Sequence, residues 1–167
     1  QMVCDSLVYL YEDSIIQMHR DPIIWSDQHQ LSASKIVLYT KNRSPDHMEF
    51  FEKSFVASQE TDIFYNQIAG TDMSAYFREK ELQRIEVRKN ANVLYFMKEA
   101  EKFNGINKAE SDKIIFYLKD KKLDAVLFPT KSKGGMYPIK TTKPVDMYLT
   151  DFKWQKEIRP KDKNDIF

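Results

Sequence analysis

Runs of β-branched, aliphatic and aromatic residues recur along much of this chain, and short charged breaks separate them. The first run is Leu7–Tyr11, and a second, Ser14–Met18, follows the acidic pair Glu12-Asp13. Short apolar runs bounded by charged or turn residues are typical of β-strands. The Ile, Val and Tyr residues of these runs suit such strands. The pattern therefore predicts an antiparallel hairpin near the start of the chain.

Three later segments repeat this order of β-rich run, charged break and β-rich run, at intervals of about 40 residues. Their first runs are Ile36–Thr40, Ala75–Arg78 and Ile114–Leu118. Their breaks are Lys41–Pro45, Glu79–Glu81 and Lys119–Lys122, and their returning runs are Met48–Phe50, Leu82–Val87 and Leu123–Phe128. The chain is therefore predicted to be a succession of antiparallel hairpins.

One stretch, residues 75–102, has local preferences that contradict this prediction. Arg78–Arg84 consists of strong helix formers. The apolar residues that follow, Ile85 and Val87, alternate with charged residues instead of recurring at helical spacing. Because the stretch also aligns with the other repeats, we interpret it as a hairpin whose charges lie in the turn and on exposed strand faces.

Two kinds of irregular element are expected between the hairpins. Corners, where the chain passes from one strand pair to the next, are indicated by an aromatic residue followed by Ser or Asn. These corners are Trp25-Ser26, Tyr65-Asn66 and Phe103-Asn104. A short helical turn at Glu99–Lys102 or at Glu110–Lys113 remains open.

After the fourth hairpin the repeat ends. Pro and Gly residues over 129–144 indicate a loop or an edge segment, and Asp146–Leu149 is predicted to be a last short strand. Phe152 and Trp154 are predicted to pin a tail onto the sheet. The end, Arg159–Asp165, is expected to be extended and exposed.

The composition fits one β-rich domain. A chain of 167 residues suits a single domain, and 42% hydrophobic residues allow a core. Only 4 residues are Gly, far below the usual fraction of roughly 7%, so the turns of a β protein must use Lys, Asp, Glu and Asn. We expect one domain over 1–167, with repeat hairpins over 1–128 and a closing strand and tail over 129–167, belonging to a longer chain.

Several functions are disfavoured by what the sequence lacks. It has no run of about 18 apolar, uncharged residues, so no transmembrane helix is predicted. The single cysteine, Cys4, cannot form an intrachain disulfide. His19, His29 and His47 lack metal-ligand spacing, and Lys131–Gly135 lacks the strand–loop–helix context of a phosphate loop. We expect no metal, no cofactor and, without a nucleophile elbow or Cys–His pair, no enzyme activity.

Nucleic-acid binding is a further alternative, because aromatic residues mixed with lysines on strands occur in barrels that bind single strands by stacking. Such proteins usually carry a basic patch. This chain has a net charge of +1, and its charges alternate in sign. No nucleic-acid partner is therefore expected.

The run Asp21–Ser26, followed by Gln30–Ala33 and Ile36–Tyr39, resembles the OstA-like proteins of the Bacteroidetes, which are related to LptA-type lipopolysaccharide-transport proteins. The family pattern is a Leu-x-Ala step followed by an alternating strand. The residues that fit it are Leu31, Ala33, Ile36 and Leu38, and again Ala109, Ile114 and Phe116. The tail, with Phe152–Trp154, Arg159–Lys161 and Asp165–Phe167, is also similar. The resemblance covers nearly the whole chain and contains no catalytic signature.

The resemblance implies an all-β fold, an open twisted β-jellyroll built of successive antiparallel hairpins. It implies a periplasmic protein that carries the acyl chains of lipopolysaccharide in an apolar groove towards the outer membrane. It also implies assembly with other Lpt-type jellyroll proteins, or with copies of itself, through edge strands. The apolar strand residues are compatible with this function, because burying apolar surface yields about 25 cal/mol per Å².

The charge-free face of the predicted strands is the candidate lipid-binding surface. It comprises Ile36, Leu38, Phe50, Tyr76, Leu82, Ile85, Val87, Ile114, Phe116, Leu118, Val126 and Phe128. The opposite face is expected to carry Tyr39, Lys41, Phe77, Glu79, Tyr117 and Lys119. The alternative is that the first set forms the closed core of a structural β-sandwich that binds a protein or a glycan and transports no lipid.

Overall fold

The structure, a computed structural model, describes residues 1–120 and 122–161. These residues form one antiparallel sheet of 12 strands and no α-helix. The strands are β1 (Met2–Val3), β2 (Ser6–Leu10), β3 (Ile15–His19), β4 (Ile23–Ser26), β5 (His29–Ser32), β6 (Lys35–Lys41), β7 (Ser44–Gln59), β8 (Tyr65–Arg78), β9 (Glu81–Glu99), β10 (Lys102–Lys119), β11 (Lys122–Leu127) and β12 (Ser132–Pro138). Three short 3₁₀ turns follow, at Ile139–Thr141, Pro144–Met147 and Lys156–Ile158.

The four long strands β7 to β10 each bend once, at neighbouring positions in the sheet. The register of pairing slips at 51–54 in β7, at 69–72 in β8 and at 111–113 in β10. In β9, Lys89 and Asn90 at the same level both have positive φ. Such β-bulges bend a strand and increase its twist. Because they lie side by side, they fold the sheet along one bend line.

The bend line divides the sheet into two half-sheets. The first half-sheet contains β2, β3, β6, the segments 44–51, 72–78, 81–88 and 113–119 of the long strands, and β11. The second half-sheet contains β1, β4, β5, the segments 54–59, 65–70, 92–99 and 102–111, and β12. Their inner faces face one another. The predicted all-β open twisted jellyroll is therefore confirmed.

The hydrophobic alternation explains the core between the half-sheets. Six residues lie opposite one another in register across six strands of the first half-sheet, and each is at most 1% exposed. They are Met18, Ile36, Phe50, Met73, Val87 and Ile114. Apolar side chains at every second position point to one face of a strand. The same alternation that predicted strands therefore buries this row.

Charged and polar residues make the hairpin tips, as the shortage of glycine requires. Asn42-Arg43, Glu79-Lys80 and Ala100-Glu101 have positive φ at both central positions, the geometry of a two-residue hairpin turn. No described glycine has positive φ. Gly70 is needed instead for close packing, because a Cβ atom there would lie 2.4 Å from Val87 Cγ1.

All four predicted hairpins are present, and the stretch at 75–102 is strand on both sides of Glu79-Lys80. The predicted corners are wrong. Trp25-Ser26, Tyr65-Asn66 and Phe103-Asn104 lie within β4, β8 and β10, next to hairpin turns. An aromatic residue followed by a polar one fits the end of a half-buried strand as well as it fits a corner. The true bends occur at the bulges, inside continuous strands.

The two possible helical turns are also wrong. Glu99–Lys102 spans the β9–β10 hairpin turn, and Glu110–Lys113 belongs to β10. Lys131–Gly135 lies mostly in the edge strand β12, whose pairing with β10 fixes it. Asp146–Leu149 forms no strand, because Pro144 starts a 3₁₀ turn there. No helix within the described ranges is long and apolar enough to cross a membrane.

Residues Ile139–Pro160, here termed the strap, run across the outer face of the second half-sheet. Phe152 packs against Phe55 and Tyr65, and Trp154 packs against Tyr65, with ring centroids 5.0–6.3 Å apart. The prediction that Phe152 and Trp154 pin the tail to the sheet is confirmed. Of the predicted extended tail, residues 162–165 lie outside the described residues, as do Lys121 and the end of the resemblance at Asp165–Phe167.

Candidate apolar groove

The inner faces of the two half-sheets meet in one apolar cluster that crosses the bend line. Its buried centre includes Ile36 and Phe50 from the first half-sheet and Val56 from the second. No charged side chain is buried in the part of the chain that the structure describes. The space between the half-sheets is therefore lined by uncharged side chains.

Eleven of the twelve predicted groove residues lie on this inner face. The buried ones are Ile36, Phe50, Ile85, Val87, Ile114 and Phe116, and the half-buried ones at its margin are Leu38, Leu82, Leu118 and Phe128. Val126 pairs with Phe116 in register and is 37% exposed. The predicted set thus forms one continuous surface with a closed centre and an open margin.

Tyr76 is the exception, and it lies on the outer face. It stacks near His47 with centroids 6.1 Å apart, and the Arg84 guanidinium lies 4.2 Å from its ring centre. Phe77, expected outside, packs against the inner cluster. The prediction placed Tyr76 inside and Phe77 outside, because it took the face of each residue from its position in the repeat alignment. In the structure, Ala75 pairs with Met48 and Ile85, and all three belong to the inner cluster. The next residue, Tyr76, therefore faces outwards.

The sequence predicted the residues of only one wall of the groove, the wall in the first half-sheet. Leu31, Val56, Ile68 and Val93 form the facing wall in the second half-sheet, where they lie next to one another in register. Their sequence neighbours, such as Phe55 and Leu94, are also apolar. The period-two signal that identified the first wall is therefore weak here. Only the Leu31-x-Ala33 step pointed to this wall.

Leu38, Phe77 and Leu118 form the start of an apolar rim, where the inner face of the first half-sheet continues beyond the closed centre. Further out, Leu7, Tyr9 and Leu123 are each 50–51% exposed. By register, Leu7 pairs with Met18, Tyr9 with Ile16 and Leu123 with Leu118, which places them on the inner face. The apolar inner face thus continues onto the exposed edge strands β2 and β11.

An opening lies where β11 of the first half-sheet gives way to β12 of the second. A cleft of about 340 Å³ there is lined by Ala109, Phe128, Gly134 and Met136, among others. Met136 is 69% exposed. The cleft has a mixed lining, because Asn107, Ser132 and Lys133 also contribute to it.

The outer face of the first half-sheet is polar and carries paired charges. Arg88 donates to Glu49 over 3.0 Å, and Glu86 forms ion pairs with Lys113 over 2.9 Å and with Arg84 over 3.2 Å. The rings of Tyr39 and His47 stack 4.2 Å apart. Charges on this side pair with one another, although the buried Nε of Arg84 has no hydrogen-bond partner among the described groups.

Asp72 forms hydrogen bonds across strands at the bend line. Its carboxylate accepts the backbone N–H of Glu52 in β7 and the Lys89 ammonium in β9, so it joins three strands. Burial disfavours the charged form, but these hydrogen bonds and the nearby positive charges outweigh it and lower the pKa of Asp72 below its ordinary value of 3.8.

Chemistry other than apolar binding finds little support in the described residues. No group of three or more His, Cys, Asp or Glu side chains there could hold a metal ion. Burial, and then the nearby Asp5 carboxylate, raise the pKa of the Cys4 thiol, which opposes formation of a reactive thiolate.

No family model matches the chain, and no curated protein matches it in sequence. Among solved structures, it is similar to the crystal structure of LptH, the LptA homologous periplasmic component of the conserved lipopolysaccharide transport device from Pseudomonas aeruginosa. The TM-score is 0.56 at 12% identity, over 75% of this chain and 80% of that chain. The chain has the LptA-type fold. At this identity the likeness concerns the fold, and the groove residues identified above are those of this chain.

Proposed function

We propose that this chain is a lipid-binding module of lipopolysaccharide transport, of the OstA-like kind, that works in the periplasm. It holds acyl chains between its two half-sheets and passes them towards the outer membrane. It acts as one non-catalytic unit without a cofactor. The LptA-type fold and the resemblance of the sequence support this proposal.

The single observation that carries the proposal is the graded inner face. Phe50 and Ile114 at its centre are at most 1% exposed, whereas Leu123 at its margin is 50% exposed. Exposed apolar residues beyond the margin of a closed sandwich core would not be needed to form that core. An acyl chain that lies along this strip buries apolar area at about 25 cal/mol per Å² and needs no specific polar partner.

Buried methionines make such a groove adaptable. Met18, Met48 and Met73 all belong to the inner cluster. Methionine side chains are flexible and polarisable, and they fill irregular space around varied partners. The closed centre can therefore rearrange around chains of different length.

The exposed edges of the first half-sheet support the proposed assembly with other jellyroll proteins or with further copies. All residues of β2 and of β11 are exposed, including Leu7, Tyr9 and Leu127. An apolar edge strand with free backbone groups pairs readily with another strand. Because the two edges are different surfaces, joining them is head-to-tail and produces chains.

Site-specific photocrosslinking tests lipid binding. A benzoyl-phenylalanine placed at Phe116 or Leu118 should crosslink to lipopolysaccharide in cells. The matched control is Tyr117, which is the residue between them and lies on the outer face opposite Arg84. We expect labelling at 116 and 118 that exceeds that at 117 by about tenfold or more.

Equal labelling at all three positions, or none while the protein is folded, would contradict the carrier function and favour the structural alternative. A glycan-binding variant of that alternative has no support from the outer aromatic row. The rings of Tyr39 and His47 cover one another, with an angle of 9° between their planes. The ring faces that they turn towards each other are therefore not free to stack on a sugar.

A further inference from the structure

The strap covers a second apolar surface, on the side of the sheet opposite the groove. Leu94, Phe96 and Ile106 of the second half-sheet lie there and are at most 1% exposed. They pack with Met147 and Leu149 of the strap, among others. This surface is separate from the groove, because it belongs to the other face of the same strands.

Two buried glutamines hold the strap by its backbone. Gln67 is fully buried; its Nε2 donates to the carbonyl of Met147 over 3.0 Å, and its Oε1 accepts the N–H of Leu149 over 2.8 Å. Each amide thus bonds both polar groups that flank one strap residue. This is the bonding that a neighbouring strand would supply.

Gln30, which is 2% exposed, repeats the arrangement further along the strap. Its Nε2 donates to the carbonyl of Lys153 over 2.7 Å, and its Oε1 accepts the N–H of Gln155 over 2.8 Å. Gln30 and Gln67 flank Ala57 in register on the covered face. The face therefore presents two identical receptors for an extended peptide backbone.

Between these two receptors, aromatic side chains supply the apolar contacts. Tyr148 and Trp154 are the strap residues that the two glutamines bracket, and Phe152 lies between them. Phe152 and Trp154 pack on Tyr65, which is only 6% exposed. The strap thus binds as a peptide with a clamped backbone and aromatic anchors.

The strap is not tied to the sheet by the backbone ladder. Among residues 1–120 and 122–161, its backbone-to-backbone hydrogen bonds are local, such as Phe152 N–H to the Leu149 carbonyl. Its bonds to the sheet all involve a side chain, as in the bond from Tyr148 Oη to the Ile63 carbonyl. The Trp154 indole N–H is buried and has no acceptor there, which weakens the hold of the strap.

We infer that the outer face of the second half-sheet is a peptide-binding site whose resident ligand is the strap. The partner that it accepts is an extended peptide with the same anchors, namely the strap of a second copy of this chain. The link between β12 and the first clamp is Ile139–Asp146, and six of its eight residues are exposed. Eight residues span up to about 28 Å when extended, enough to reach an adjacent molecule.

The test uses the full chain with a specific protease site inserted between Lys143 and Pro144, both of which are exposed. Cleavage leaves the strap bound only by noncovalent contacts. The probe is a fluorescent synthetic peptide of residues 144–161, which represents the strap of a second copy. We expect the cleaved protein to keep its β-sheet circular dichroism and to exchange its own strap for the probe, measured as saturable fluorescence anisotropy.

Chemical variants of the probe test the two glutamine clamps without changing the folded body. N-methylation of the Leu149 or the Gln155 nitrogen removes a donor to Gln67 or to Gln30, and each should weaken binding about tenfold. N-methylation at Asp151, whose N–H bonds to no described group, is the control and should change affinity less than about threefold. Trp154→Ala in the probe should weaken binding about tenfold or more.

Two results would overturn the inference. The first is that the cleaved protein never takes up the probe, or unfolds when its strap leaves, which makes the strap an integral part of the fold. The second is that all three N-methylated peptides bind alike, which removes the glutamine clamps. The inference does not depend on lipid binding, because the probe occupies the face opposite the groove.

Discussion

The two half-sheets share four strands and one apolar core, yet their outer faces differ. The first half-sheet exposes its outer face, with Arg84, Glu86 and Lys113 paired on it. The second half-sheet is covered by the strap, which buries Phe96 and Ile106. The first wall of the core is therefore a single layer, and the second wall has two layers, the half-sheet and the strap. The thinner wall also carries the exposed apolar rim of the groove.

Under the proposed function, this difference predicts which wall moves to admit an acyl chain. The second half-sheet is held on both faces, whereas the first is held through the inner cluster and the bend line. We therefore expect the first half-sheet to move at the bulges, where Asp72 joins β7, β8 and β9. The following predictions test the comparison, from the largest expected effect to the smallest.

The strongest test compares two equally buried phenylalanines, one in each layer. Phe50 lies in the groove and Phe96 lies under the strap, and each is 1% exposed. Replacement of either by Ala should lower the free energy of unfolding by about 3–5 kcal/mol, measured in urea. A bound acyl chain should restore stability to Phe50→Ala only, because only that cavity opens into the groove. Equal rescue of both variants would contradict the separation of the two surfaces.

A smaller effect is expected when one clamp of the strap is removed. Gln67→Leu keeps the volume but leaves the N–H of Leu149 and the carbonyl of Met147 unpaired. We expect a loss of about 2 kcal/mol in unfolding free energy and faster hydrogen exchange at the Leu149 amide. Gln28→Leu, at an exposed position, is the control and should change stability by less than about 0.5 kcal/mol. Unchanged exchange at Leu149 would show that Gln67 does not hold the strap.

The bend line gives a pH-dependent test. Since the pKa of Asp72 is lowered on folding, its contribution is complete above the unfolded value of 3.8 and is lost as pH falls through the lower folded value. Asp72→Asn should therefore cost about 1 kcal/mol at pH 6, and less at pH 3. Unfolding in urea at the two pH values measures this difference. A matched variant at the exposed Asp124 should show no such convergence.

The smallest effect is expected on the exposed outer face of the first half-sheet. His47→Ala removes the central ring of the row formed with Tyr39 and Tyr76. Cross-strand pairs of this kind contribute about 0.5 kcal/mol. Crosslinking of lipopolysaccharide at Leu118 should remain unchanged in this variant. A large loss of crosslinking would mean that this face takes part in binding.

The same difference explains how far the sequence could predict the structure. In the first half-sheet the charged strand residues lie on the outer face, so Ile36, Leu38 and Phe116 could be assigned to the inner face as members of the charge-free set, even though Val37 and Ile115 beside them are also buried. In the second half-sheet both faces are covered, the inner face by the core and the outer face by the strap. In the run Phe55-Val56-Ala57 every residue is apolar, so the sequence does not show which residues face the groove. The facing wall was therefore not predicted.

Other features depended on contacts that are distant in sequence. Gln30 and Gln67 appear in the sequence as ordinary polar strand residues, and their role follows only from the path of the strap, more than 80 residues away. The bends were also unpredictable, because Lys89-Asn90 resembles a hairpin tip and yet lies inside a continuous strand. Tyr76 and Phe77 were inverted because pairing with neighbouring strands, not the repeat, sets parity.

The scarcity of glycine has a consequence for how this protein can change. Every described residue with positive φ is a non-glycine residue, including Arg43, Lys80 and Glu101 at hairpin tips. Such conformations cost roughly 1–2 kcal/mol for most side chains. Natural proteins keep only as much stability as selection demands. The hairpin tips thus hold a reserve from which glycine or asparagine replacements could offset harmful mutations elsewhere, giving the groove and the strap more freedom to diverge.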